Sequence, residues 1–442
     1  MTLAYQDTRR PQQALVEPPY EERERRVVQT AFGNTSREVI WDNRYALSDN
    51  LSLSNATTYA DLEFRRLDAP ANGDIILEGP QITNETLLNF EAPELGLEGV
   101  LSAYVFHEDR EERFFIGSPL FSEFEDETLT TSLFGEVTWE VVPDLRLTVG
   151  GRYERESRQR QGSFLGIETD LDEVYEAFLP KVGVAYDVTE TTTVGAVVSR
   201  GFNAGGGAVS FGAFDAQGNR SPDPALGPRA FSYDSEFVWN YELYARATAL
   251  NERVTMRGNV FYSDYEDQQR REQIDYPGGF SEGIIVNAPE SRAYGAEFTV
   301  SYLPVEELEL FADVGLLWTE IVEARDPDLE GNEFARAPNA TFGAGAVYSP
   351  VPDWTLGVDA TYVDSYFTTD INNPLTEVDP YWVANARVAW QPLEHLSVFG
   401  EVTNIFDTDA ETRLFARPRT GAPTLAQLVE PRVFWLGAEV RF

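Results

Sequence analysis

The chain closes on Pro431-Arg-Val-Phe-Trp-Leu-Gly-Ala-Glu-Val-Arg-Phe442. In an extended backbone Phe434, Leu436, Ala438, Val440 and Phe442 fall on one face. Val433, Trp435, Gly437, Glu439 and Arg441 fall on the other. Period-2 alternation of this kind marks a β-strand with two different environments. A strand of a soluble sandwich alternates too, so the weight comes from repetition. Segments of the same form recur along the chain. Leu145, Leu147, Val149, Gly151 and Tyr153 alternate with Arg146, Thr148, Gly150, Arg152 and Glu154. Trp239, Tyr241, Leu243 and Ala245 oppose Asn240, Glu242, Tyr244 and Arg246. Val254, Met256, Val260 and Tyr262 oppose Arg253, Thr255, Arg257 and Asn259. Trp382, Ala384, Ala386, Val388 and Trp390 put a tryptophan at each end of one apolar face. Apolar residues toward lipid, polar ones toward a lumen and aromatics at both interfaces define a transmembrane antiparallel β-barrel strand.

Composition agrees. Aromatics make up 13% of the 442 residues, and no run of 18 apolar residues exists to form a membrane helix. Cysteine is absent, which excludes disulfides and thiolate metal sites. A formal net charge of −40 argues against nucleic acid as a partner. The N-terminal Met1-Thr-Leu-Ala-Tyr-Gln lacks the apolar core of a signal peptide. An exported barrel needs one, so either the chain is part of a longer protein or the barrel reading fails.

Eight short turn signals punctuate the sequence: 48–50, 92–96, 142–144, 187–190, 250–252, 303–306, 349–353 and 391–394. Each is rich in the Pro, Asn, Asp or Gly that tight turns use. Between them lie longer polar stretches at 67–82, 108–127, 156–174, 202–234, 266–291, 320–338, 364–378 and 408–430. Alternating short and long connections match the periplasmic turns and outer loops of a bacterial outer-membrane barrel. Eight hairpins, a rising strand near 1–10 and the closing strand predict about 18 strands. A propeller shares the repeat length, but its blades need four short strands rather than two long ones. Residues 1–36 are expected to hold a partial first strand and an outer loop, and 37–442 the barrel.

Several segments carry a more specific likeness: Leu51-Ser-Leu-Ser-Asn-Ala-Thr-Thr-Tyr59, Leu179-Pro-Lys-Val-Gly-Val-Ala-Tyr186, Val198-Ser-Arg-Gly-Phe-Asn-Ala-Gly-Gly206, Asn240-Tyr-Glu-Leu243, Asn287-Ala-Pro-Glu-Ser-Arg-Ala-Tyr-Gly-Ala-Glu-Phe298 and Val402-Thr-Asn-Ile-Phe-Asp407, with the terminal Phe442. In this order and spacing, across roughly 40–442, the chain resembles the barrel of a TonB-dependent outer-membrane receptor. The resemblance implies a 22-stranded barrel around an N-terminal plug. It implies energised uptake of a scarce ligand, an iron–siderophore complex first, through a TonB-type inner-membrane partner that grips a box ahead of the plug. The chain departs from that pattern in lacking plug, box and about four strands. A passive porin of about 18 strands is the alternative. Expected partners are outer-membrane lipid, lipopolysaccharide and the barrel-assembly machinery, with Phe434, Leu436, Val440 and Phe442 as the closing strand and assembly signal.

Ligand contacts are expected from the outer loops: Phe202, Asn203, Phe211, Phe214, Tyr276, Phe280 and Phe367. No catalytic group, cofactor or metal is expected. The two histidines, His107 and His395, are too few for a His-based hydrolase. Asp326-Pro-Asp-Leu-Glu-Gly331 starts like a calcium loop, but Ala337 stands where the bidentate Glu belongs. The acidic runs 108–112 and 123–127 read as solvated rim. Such a rim repels itself unless ions screen it, and the screening length falls from about 8 Å at 0.15 M salt to about 3 Å at 1 M. Thermal stability of the refolded barrel is therefore expected to rise from about 0.05 to 1 M salt, and further with calcium. A flat response would leave the acidity as surface solvation alone.

Overall fold

The computed structural model describes residues 1–11, 15–23, 31–67, 74–115, 121–164, 166–210, 212, 227, 229–275, 281–415 and 425–441. Its strands, in chain order, are β1 (Thr2–Pro11), β2 (Ala31–Ser48), β3 (Leu51–Leu67), β4 (Ile75–Ala92), β5 (Leu97–Phe115), β6 (Phe121–Val142), β7 (Leu145–Phe164), β8 (Ile167–Thr189), β9 (Thr192–Asn203), β10 (Gly206–Ser210), β11 (Arg229–Tyr233) and β12 (Glu236–Ala249). There follow β13 (Val254–Asp275), β14 (Ser281–Val305), β15 (Leu308–Glu323), β16 (Ala340–Val351), β17 (Trp354–Val363), β18 (Tyr366–Phe367), β19 (Glu377–Val378), β20 (Tyr381–Leu393), β21 (Leu396–Thr403), β22 (Glu411–Phe415), β23 (Leu425–Leu428) and β24 (Val433–Val440).

Eighteen of these form one antiparallel sheet, each strand paired with its sequence neighbours. The other six make three small hairpins, β10–β11, β18–β19 and β22–β23, within the long connections. All eight expected short turns are present, each joining two long strands. No described helix is long and apolar enough to cross a membrane.

Register places the expected lipid face outward. Cross-strand pairs carry Tyr241, Tyr262, Tyr294 and Trp318 side by side, with ring centroids 6.3, 6.4 and 5.8 Å apart. Phe342, Tyr362 and Trp382 continue this upper girdle at 5.6 and 5.0 Å. Beside the short turns Trp354 stacks on Trp390 at 5.7 Å. Trp382 and Trp390 are eight residues apart on β20, about 27 Å along a strand before tilt. That matches an apolar band about 25 Å tall. Leu147, Val149, Trp239, Val254, Met256, Val260, Leu310, Val314, Val358 and Val388 share this outward parity, and Val149, Val260, Leu310 and Val358 are exposed.

The opposite face is polar and rich in paired groups. Lys181 Nζ lies 2.8 Å from Glu136, Arg160 bonds Glu112 and Asp126 at 3.1 and 2.7 Å, Thr130 donates to Glu156 at 2.9 Å, and Asn385 donates to Asp359 at 2.8 Å. Inward aromatics lie over glycines of the adjacent strand: Tyr244 over Gly195, Phe261 over Gly295, Phe311 over Gly345 and Phe399 over Gly437. A Cβ at Gly345 would stand 2.3 Å from Phe311 and 2.6 Å from the Val358 carbonyl. Neither the ring nor the ladder can yield without shifting the sheet. Gly345→Val is expected to cost about 1–3 kcal/mol by overpacking, read as a lower urea midpoint of the refolded barrel. An unchanged midpoint would show that the ring swings clear.

One outward region is polar. Asn55 donates to Thr86 at 2.8 Å, Asn84 donates to Thr57 at 2.7 Å, and the register puts these groups on the face of Leu53 and Tyr59. They satisfy one another, which lowers the cost of polar groups facing lipid.

Two expectations need correction. The polar stretches 67–82, 108–127, 156–174 and 266–291 are largely strand, because β4 to β8, β13 and β14 run well past the girdles. Above the membrane a hairpin pairs its own backbone and needs no apolar face, so polarity there does not mean loop. The outer loop expected within residues 1–36 likewise gives way to β2, which begins at Ala31. The sheet also retains two edges: among the described residues β1 pairs only with β2, and β24 only with β21. Both edge strands are exposed on both faces, with Leu3 and Tyr5 on one and Phe434, Trp435 and Leu436 on the other.

Buried apolar clusters lie at the long-connection rim, in the connections and in the ends of the strands that flank them. Val16, Tyr366, Val378, Leu414, Ala426 and Leu428 join three of these connections. Ile321, Leu329 and Phe334 pack with Ala288 and Ala293 in another cluster, and Ile274, Ile284 and Val286 with Phe231 in a third. The lumen is polar and the outer wall faces lipid, so apolar surface is buried where the connections pack on the strand ends at this rim.

Candidate ligand site above the lumen

These loop cores hold a cavity of about 620 Å³ at the long-loop rim. β13 contributes Gln269 to Glu272, β14 Glu282 and Gly283, the loop after β15 Leu329, Ala335 and Arg336, the loop after β17 Thr368 to Ile371, and β22 Arg413 and Phe415. Four outer connections therefore meet on one space.

Arg270 and Asp370 pin two of these walls. Asp370 is 8% exposed and accepts from Arg270 Nε at 3.0 Å, with a second, closer contact through Nη2. It also accepts from the Ala335 N–H at 2.7 Å, and Arg270 lies 4.2 Å from the Phe334 ring centre. Asn332 and Asn372 complete the clamp: Asn332 donates to the Asp370 carbonyl at 2.9 Å and Asn372 to the Glu333 carbonyl at 2.9 Å. Arg336 sits in the left-handed region at φ 59° while its N–H donates to the Phe367 carbonyl at 2.8 Å. A non-glycine residue held there shows that the surrounding contacts dictate its backbone.

Arg271, Arg336 and Arg413 also line the space. Arg413 lies over Phe415 at 4.4 Å, and burial together with the Arg336 and Arg271 charges pulls its pKa down to about 10. Gly283 leaves room for Arg271: a Cβ there would stand 2.7 Å from its Nε. Burial also raises the pKa of Tyr366, whose hydroxyl donates to the Thr412 carbonyl at 2.9 Å beneath this wall.

The expected aromatic contacts are dispersed. Phe202 pairs across the sheet with Phe237, centroids 5.3 Å apart, on the outward parity of β9. Asn203 donates to Gln269 Oε1 at 3.0 Å, and Gln269 lines the cavity. Phe367 is held in β18 beside it. Phe211, Phe214, Tyr276, Phe280 and Phe442 lie outside the described residues. Sequence reading passed over the arginines. Each sits in an acidic or polar neighbourhood, and nothing local distinguishes Arg271, Arg336 and Arg413 from surface charge. Among the described residues no cluster of His, Asp or Glu is arranged to hold a metal.

An antiparallel sheet with an apolar outer face, a polar inner face and a loop-built cavity at one rim defines the wall of a membrane-spanning β-barrel. The chain belongs to the TonB dependent receptor-like β-barrel family, whose model matches residues 3–405. Its fold is similar to that of the ferric yersiniabactin uptake receptor FyuA from Yersinia pestis: TM-score 0.79, 17% identity, covering 99% of this chain and 66% of that one. The ferric citrate transporter FecA gives 0.75 at 15% identity, covering 100% and 67%. The copper transporter OprC gives 0.69 at 13%, covering 94% and 66%. The chain thus spans about two thirds of the length of these solved structures.

Proposed function

We propose that this chain forms the wall of an energised outer-membrane receptor that captures a scarce ligand, an iron–siderophore complex, at its outer rim. The observation that carries this reading is the pinned cavity above a polar lumen. A passive pore needs an open mouth, whereas a receptor needs convergent groups held in place before the ligand arrives. Several similar structures are receptors for ferric complexes. The unpaired edges β1 and β24 support further strands of a longer barrel closing the wall, since unsatisfied backbone in lipid is costly. On this reading a plug and a TonB-type partner supply gating and energy, lipopolysaccharide surrounds the rim, and the barrel-assembly machinery inserts the closing strand.

The test is uptake of radioactive iron–siderophore complexes by outer-membrane-bearing cells that express the intact receptor. Saturable uptake abolished by a protonophore is expected. Entry that rises linearly with concentration and ignores the protonophore would instead identify a passive porin.

A further inference from the structure

We propose that the cavity bounded by Arg271, Arg336 and Arg413 binds a small polycarboxylate, free or as the donor shell around a metal ion. This deepens the receptor reading by naming the chemistry of the captured group.

The three guanidiniums come from three separate outer connections and converge on one cavity. Among the described residues none of them has a carboxylate within ion-pair distance. The acidic groups of the lining are otherwise engaged: Asp370 by Arg270 and the Ala335 N–H, and Glu282 by the Ser210 hydroxyl at 2.8 Å. Glu272 is 5% exposed, set into the β13 wall. By contrast Arg160 is matched to Glu112 and Asp126, and Arg146 to Asp187. Like charges gathered without a counter-ion destabilise one another, and the pKa of Arg413 is lowered first by burial and then by the Arg336 and Arg271 charges. A bound anion would offset those charges.

The shape of the site selects among anions. Guanidinium groups bind carboxylates and phosphates through paired, parallel N–H donors. A volume of about 620 Å³ far exceeds one phosphate and suits a molecule presenting several carboxylates at once. Thr369 lines the same space, and its hydroxyl is hidden from water with no partner. It is a further donor for a ligand oxygen. Backbone strain at Arg336 fits a residue positioned for contact rather than for the loop's own stability.

Equilibrium dialysis of the chain folded in detergent, with citrate, ferric citrate and inorganic phosphate as separate probes, tests the proposal. Citrate, ferric citrate or both should bind saturably and weaken with rising salt. Arg336→Gln or Arg413→Gln should each weaken binding about tenfold or more, the scale of a lost charge-assisted hydrogen bond. Arg413→Lys keeps the charge but loses the fork and should recover only part of the affinity. Heat-modifiable gel mobility and strand circular dichroism verify that each variant is folded. Should a glutamine variant misfold, competition settles the matter on the native chain: citrate must protect these arginines from phenylglyoxal. Equal citrate binding by the native chain and a folded triple glutamine variant would overturn the proposal, as would phosphate binding that citrate fails to displace. Binding is measured without transport, so a failure here is distinct from a failure of protonophore-sensitive uptake.

Discussion

Replacing Val149 by arginine is expected to destabilise the barrel by about 2–4 kcal/mol, whereas the same change at Thr148 should cost far less. The two positions are adjacent on β7 and face opposite environments. Val149 is 51% exposed on the outer wall, paired with Val137 and Val182. Thr148 faces the lumen, where its hydroxyl lies 3.0 Å from that of Thr138. An arginine at Val149 must hold its charge in hydrocarbon or drag water and headgroups toward the band centre. An arginine at Thr148 enters an aqueous space already lined by Glu136 and Glu154. The measurement is urea unfolding of both variants refolded into vesicles. Equal losses at the two sites would mean that the outer face is not in lipid.

Removing the carboxylate of Asp370 is expected to loosen the outer loops by about 3–5 kcal/mol, the scale for breaking a buried ion pair from one side. Asp370→Ala leaves Arg270, 17% exposed at its side chain, without a counter-charge. It also removes the acceptor of the Ala335 N–H, so the loop after β15 and the loop after β17 lose their common anchor. The effect should be local. Hydrogen exchange should accelerate at 324–339 and 364–378 while the amides of β16 and β17 keep their protection. Asp370→Asn keeps one acceptor and should show a smaller change. Faster exchange throughout the sheet would show that the loops and the wall unfold together.

Much of this architecture is legible without coordinates, and particular residues show why. A tight turn is a local event, so Asp49-Asn50, Pro143-Asp144 and Pro352-Asp353 announce their hairpins through conformational preferences of their own. The two sides of a barrel wall differ in solvent at every second residue, so Leu147 and Arg146 declare their faces through polarity alone. Outside the membrane that contrast disappears. Glu108 to Phe115 and Gln268 to Asp275 have water or loop on both sides, and the polarity that elsewhere marks the lumen there suggested loop. Only the backbone ladder shows them to be strand.

What the amino-acid sequence determined by itself is the approximate number of wall strands, the eight short turns and, where apolar and polar residues alternate, the face a mid-wall side chain turns to lipid. Each of these follows from a periodicity or a turn preference confined to a few consecutive residues. Tertiary structure alone decided that Arg271, Arg336 and Arg413 share one cavity, that Asp370 belongs to Arg270, and that the apolar cores gather at the long-connection rim. Arg270 and Asp370 are 100 residues apart. Their pairing brings β13 against the connection after β17, beside the cluster of Ile321, Leu329 and Phe334, none of which has a signature in its own stretch of chain.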